Sequence, residues 1–261
     1  MFRPPYDDLA FGFDPVLAMV VIFFFLFVVL VIWLRREDKR EGYPADTAGA
    51  FSSVRLLPNW IGMPGRKVFH RPHGNPPVST PRREPLRESG ARPPRAARGR
   101  PFRPVLDGLK EGVGPASWQN REEKPDLDRK GRPKIIPLSS NAEYFVAEGD
   151  PDPRGWLVRG ADFAVAGEVK DLWFNRAEFF LRYLDVELEE GGRRLVPLFF
   201  TITKPRRGEI LVPHLPADRF RDAPTLASPD RITMREEDRV NAFFAGAAFY
   251  GKNPRGGDLR L

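Results

Sequence analysis

Residues 15–34 read PVLAMVVIFFFLFVVLVIWL, a run with no charge and no Ser or Thr. At a rise of about 1.5 Å per residue, a helix of this length is about 30 Å long, the thickness of a bilayer's hydrocarbon core. A single segment can cross lipid with its backbone satisfied only as a helix. Asp14 is placed to cap it and Pro15 suits the first helical position. A cleaved signal peptide would need a basic start and a small-residue cleavage site. Here the start carries Asp7, Asp8 and Asp14, and the run ends in Ile32-Trp33-Leu34 and the cations Arg35, Arg36, Lys39 and Arg40. The run therefore reads as a retained transmembrane anchor.

The same cations set the orientation. Only Arg3 stands near the other end, and the excess of positive charge belongs on the cytoplasmic side. Residues 1–14 are thus expected outside and everything after residue 34 in the cytoplasm. Trp33 lies where an interfacial aromatic is expected, and Arg35, Arg36, Lys39 and Arg40 at the level of the lipid headgroups. The chain has no Cys, which excludes disulfides and thiolate metal sites.

Beyond the anchor, the 28 Pro and 23 Gly of the chain break up residues 42–118, where short apolar pieces alternate with Pro and Gly. Such a stretch buries too little apolar surface to fold alone and reads as a segment laid over a partner. Residues 81–103 hold eight Arg against two Glu, and this local +6 supplies nearly all of the net +7. The stretch fits a solvated loop or contact with anionic headgroups. It lacks the interleaved aromatics of an RNA-binding surface, having only Phe102, so nucleic acid is not expected.

From about residue 134 the pattern becomes alternating, the mark of half-buried strands. Lys134–Leu138, Phe163–Val165, Glu168–Trp173, Phe180–Leu188, Arg194–Leu198 and Ile210–Val212 qualify. Glu190-Gly191-Gly192 supplies a hairpin turn and Pro205–Gly208 another. Short strands at this spacing predict a small antiparallel barrel or sandwich. Thr233 and Glu236 form a capping box ahead of a helix whose Val240, Phe243, Phe244 and Ala247 share one face. The expected organisation is an outer N-terminus (1–14), the anchor (15–34), an extended segment (35–133), a barrel (134–232) and a helix with a tail (233–261).

The usual catalytic constellations are missing. Gly112-Val113-Gly114 runs into Pro115 and is no phosphate loop. His70, His73 and His214 show no HxxxH or HxH spacing, and no Ser lies in GxSxG. The charged run Asp126, Asp128, Lys130, Arg132 and Lys134 is, on composition alone, most simply a solvated turn. An enzyme in its own right is not expected.

Four segments in order carry a resemblance: LRREDKREGYP (34–44), DGLKEGVGPASW (107–118), AGEVKDLWFNRAEFFLRYLDVEL (166–188) and REEDRVNAFFAGAAFYG (235–251). Together they resemble the H subunit of the purple-bacterial photosynthetic reaction centre over essentially the whole chain, the Arg-rich stretch being the main departure. The resemblance implies one transmembrane helix, a surface segment and a cytoplasmic PRC-type β-barrel with a helix, in a bacterial photosynthetic inner membrane. It implies a subunit that caps partner L and M subunits, which hold the bacteriochlorophylls, bacteriopheophytins, quinones and non-haem iron. Light-harvesting antenna, cytochrome and anionic lipid are implied as further neighbours. The H subunit of the family conducts protons to the secondary quinone. Glu178 and Arg182 match the family's acid and base under that pocket. Asp128 matches an acid at the proton inlet, with Asp126 beside it, and Lys134 matches a nearby base. Lys130 and Arg132 stand where some relatives carry His, and Asn175 replaces an acid; neither cation exchanges protons readily near neutral pH. The competing class is a membrane-tethered barrel scaffold or a module binding RNA or anionic lipid.

Overall fold

The computed structural model describes residues 14–40, 64–80, 90–92 and 103–252. These fall into two compact units, divided between Leu86 and Arg87. The expectations for residues 1–13 and 41–63, and for most of the Arg-rich stretch, lie outside the described residues.

In the first unit, helix α1 spans Pro15–Glu37. Asp14 caps it as expected, its carboxylate accepting from the Val16 and Leu17 amides at 2.8 and 3.3 Å. No residue of α1 is buried, and the helix is long and apolar enough to cross a membrane. A helix apolar on every face gains nothing from water and is suited to lipid. Trp33, Arg35 and Arg36 are exposed at its end. Arg40 is drawn inward instead. Its guanidinium grips Glu37 through Nε at 2.7 Å and Nη2 at 3.0 Å, and donates to the carbonyls of Gly65 and Thr80. Lys67 closes on the same Glu37 carboxylate at 2.7 Å. These contacts fix the helix exit to a small hairpin, β1 (Lys67–Phe69) against β2 (Val78–Thr80).

The second unit begins with a two-residue pairing of β3 (Ala91–Arg92) and β4 (Arg103–Pro104), the described ends of the Arg-rich stretch. Its centre is one seven-stranded sheet: β5 (Ile135–Pro137), β6 (Leu157–Arg159), β7 (Val165–Asn175), β8 (Phe180–Leu188), β9 (Arg193–Pro197), β10 (Ile202–Lys204) and β11 (Glu209–Leu211). The ladder runs β10-β11-β6-β7-β8-β9, with β5 also on β7. The β8–β9 hairpin turns where expected, with Gly191 and Gly192 at φ of +89° and +86°, values a side chain would resist. The sheet is antiparallel apart from one pair, β6 with β11, which run parallel. The strands of that pair lie some fifty residues apart in sequence, the distance a parallel pairing needs for its crossover.

Two details differ from the sequence reading. The pieces read at 163–165 and 168–173 form one long strand, β7, with Phe163 in the preceding turn at φ +62°. Register shifts at Val169/Asp171 and Trp173/Phe174 break its alternation, so residues 171–175 are buried consecutively. Residues 107–118, assigned to the extended segment, belong to the core of this unit. Asp107 caps a single-turn helix, α2 (Gly108–Glu111), and Leu109, Val113 and Ala116 are buried.

The C-terminal helix α3 (Met234–Tyr250) carries the expected capping box, and Val240, Phe243, Phe244 and Ala247 are all buried. It packs on β9 and on the turn at Gly114–Ala116. Gly246 lets the backbones meet: a Cβ there would lie 2.4 Å from that of Ala116. Arg219 ties the 107–118 segment down, donating to Asp107 at 2.7 Å and Asp222 at 3.0 Å. The architecture is therefore an N-terminal apolar helix followed by a mainly β domain with a C-terminal helix.

Candidate functional site

The turn between β7 and β8 positions the matched acid. Asn175 is buried, and its side-chain oxygen accepts from the amides of Ala177 and Glu178 at 2.9 and 3.2 Å. Its carbonyl accepts from Phe179, which takes φ +56°. Asn175 is thus spent on shaping the turn. Glu178 consequently projects at the surface beside Phe179 and Phe180, which are 76% and 42% exposed.

Those aromatics belong to a wider apolar face. Phe145, Phe179, Phe180 and Leu181 line a groove of about 540 Å³ with Tyr144 and Phe174 behind it. A second groove of about 590 Å³ shares Phe180 and Leu181 and continues through Arg182, Tyr183, Pro197 and Phe199. Phe199 is 92% exposed. Single exposed apolar residues are ordinary, but aromatics clustered around two joined grooves mark a surface that meets something.

Arg182 does not pair with Glu178, four residues away. It reaches Glu237 of α3 at 3.8 Å and stacks over the Phe180 ring at 5.3 Å. Glu237 was not singled out from the sequence, where it lies hidden in an ordinary REED helix start. Its side chain is 19% exposed, and burial pushes its carboxyl above the usual carboxylate range, with Arg182 pulling it back and Asp126 adding to the rise. Next to it, Tyr183 accepts from Asn241 at 3.0 Å, and its phenol is pushed up by burial.

The loop 126–134 forms the other flank. Asp126 and Lys134 pair at 2.7 Å, and the Lys134 amide donates to the Asp126 carbonyl, closing the loop. Its bond to Asp126 raises the Lys134 ammonium, with Glu178 and Glu237 contributing through space. Lys134, Asp126, Glu178, Arg182 and Glu237 thus sit within one electrostatic cluster. The Lys134 carbonyl also accepts from the Arg176 amide, joining this loop to the β7–β8 turn.

Asp128 behaves differently from the solvated turn that composition suggested. It is 8% exposed and accepts from the amides of Arg132 and Lys130 and from Arg132 Nε at 2.8–2.9 Å. Arg176 lies 3.7 Å away. The Arg132 amide above all, with that guanidinium and the Lys130 amide, holds the carboxyl down at about 2 against the pull of burial. Asp128 is therefore an ionised anchor for its loop, and its value moves away from neutrality, opposite to what a relay would need. Arg132 supplies the clamp through its amide and its guanidinium.

Among the described residues no group of three or more His, Asp or Glu could hold a metal, and His70 and His73 stand in the β1–β2 loop. The family model for the photosynthetic reaction centre H-chain N-terminal region matches residues 9–140, just over half of the chain. That match includes the anchor, the helix exit, the 107–118 segment and the 126–134 loop. On that match, this chain belongs to the photosynthetic reaction-centre H-chain family.

Proposed function

We propose that this chain caps the cytoplasmic side of an L/M core and conducts protons toward the secondary quinone held there. The family makes it a membrane-anchored reaction-centre subunit associated with core subunits. The observation that supports the finer reading is Glu178, exposed directly before Phe179 and Phe180 of the joined aromatic grooves and acting through space on Lys134. Aromatic rings exposed to this degree suit a protein contact that excludes water. A carboxylate at the rim of such a contact lies where a proton can pass from a wet domain to a dry pocket.

In this reading the pigments, quinones and iron belong to L and M, and the chain turns over no substrate itself. Water and the side chains of the cluster carry the protons, and Arg182 and Lys134 hold the carboxylates near one another without mutual repulsion. The N-terminus faces the periplasm and the β domain the cytoplasm, with Trp33, Arg35, Arg36 and Lys39 at the lipid interface. Antenna and cytochrome subunits would be outer neighbours.

Glu178→Gln keeps the shape and deletes the acceptor. Flash-induced kinetics on the purified complex should show slower second electron transfer to the secondary quinone, because that step is coupled to protonation. The first inter-quinone transfer should change less. Wild-type second-electron rates across pH 6 to 9 would overturn the proton-conduction reading for this residue.

A further inference from the structure

Three acids lie close together along the start of α3 and the segment that straps it, and their surroundings divide them. Glu236 is consumed by the capping box, accepting from Thr233 and from the Ala227 amide. Asp238 is turned onto the Gln119 amide at 2.6 Å. The Glu237 side chain is 19% exposed, and its one ionic contact among the described residues, Arg182, stands at 3.8 Å, beyond hydrogen-bond range. We propose that Glu237 is a proton-exchanging member of the relay, in the same charged cluster as the pair Asp126–Lys134 and the residue Glu178.

The geometry gives three reasons. First, a carboxylate that must take and release a proton needs free lone pairs, and Glu237 keeps them where Asp128 has spent its own on amides and Arg132. Second, it is enclosed but not sealed, with a fifth of its side chain still accessible, so water can reach it. Third, charges of both signs act on it through space from several elements. Arg182 approaches from β8, Asp126 and Lys134 from the 126–134 loop, and Arg121 from the strap along the helix. Tyr183 lies beside Arg182, its hydroxyl accepting from Asn241. Arg235, on the helix itself, is occupied by Glu123 and the Arg121 carbonyl.

This balance matters for exchange. Burial lifts the Glu237 carboxyl from its ordinary value while the three cations prevent it from becoming permanently neutral. The step itself is a plain proton transfer: a hydronium ion gives its proton to the Glu237 carboxylate and becomes water, and the carboxylic acid then passes that proton to another water, regenerating the carboxylate. No other bond is made or broken.

The inference rests on the proton-conduction reading, and the test separates the two. Glu237→Gln in the whole complex keeps a partner for Arg182 and should slow second electron transfer by about tenfold or more. Glu237→Asp should recover part of the rate, and small carboxylic acids in the buffer should recover part of it in Glu237→Gln. Wild-type rates in Glu237→Gln alongside slow rates in Glu178→Gln would overturn this inference and leave the reading intact. Wild-type rates in both would overturn both. Slow rates in Glu237→Gln that neither Glu237→Asp nor added acid improves would make Glu237 a structural ion pair and overturn the inference as well.

Discussion

The β domain carries two aromatic surfaces of similar composition and opposite fate. On one, Phe220, Phe243 and Phe244 meet edge to face, at ring distances of 6.2 and 5.5 Å, and are buried between α3 and the sheet. On the other, Phe145, Phe179 and Phe199 stand 79%, 76% and 92% exposed around two joined grooves. The difference is not in the residue type but in the partner. The first set finds its complement within the chain, through a helix brought close by Gly246. The second has no complement within the domain, and we assign it one in the core subunits. Acids divide in the same way: Asp128 is satisfied by its own loop, whereas Glu178 stands free at the edge of the open face.

Truncating the internal surface should be the most damaging. Phe244→Ala empties a position 1% exposed and should cost about 3–5 kcal/mol, read as a lowered denaturation midpoint of the separated subunit in detergent. An unchanged midpoint would mean that this surface is not the domain's core.

The next effect concerns Asp128 and acid. Its carboxyl lies at about 2 in the fold against an ordinary 3.8. A depressed value stabilises the fold fully above the ordinary value, and the contribution fades as pH falls from there toward the folded value. Asp128→Asn should therefore lower the thermal midpoint at neutral pH, and the difference from wild type should shrink as pH drops from about 4 toward 2. A gap that stays constant over that window would show that the clamp is not electrostatic. The smallest effect on folding belongs to the open face. Phe199→Ser should change the stability of the separated subunit by no more than about 0.5 kcal/mol, while the subunit is more easily stripped from the complex by detergent. Loss of folding instead would move Phe199 into the internal set.

How much of this was legible from the sequence follows the reach of the signals. The anchor, the hairpin at Gly191-Gly192 and the capped helix over Val240–Ala247 are written locally, in hydropathy, turn chemistry and periodicity, and they stand as read. Strand β7 shows in the sequence only as fragments, because its bulges erase alternation where burial is greatest. β6 and β10, three residues each, are too short to show a period and are held by their neighbours. The 107–118 segment is rich in turns and apolar only in spots. Its place in the core depends on α3 and Arg219, a hundred or more residues away in sequence. In the site, the family motifs pointed to Glu178, Arg182, Asp126 and Lys134, which the fold brings into one cluster. They could not reveal that Arg182 turns to Glu237, because that pairing crosses from β8 to α3. Nor could composition show that Asp128 is locked, since two of the donors are backbone amides that work alongside the Arg132 guanidinium.

We assign the open aromatic face as the surface where this domain meets the photochemical core. Hydroxyl-radical footprinting read by mass spectrometry tests it, comparing the separated subunit with the assembled complex. Phe179 and Phe199 should be oxidised readily in the separated subunit and strongly protected in the complex, while Phe244 is protected in both. Equal oxidation of Phe179 and Phe199 in the two states would contradict the claim, leaving the face in water and Glu178 without a pocket to serve.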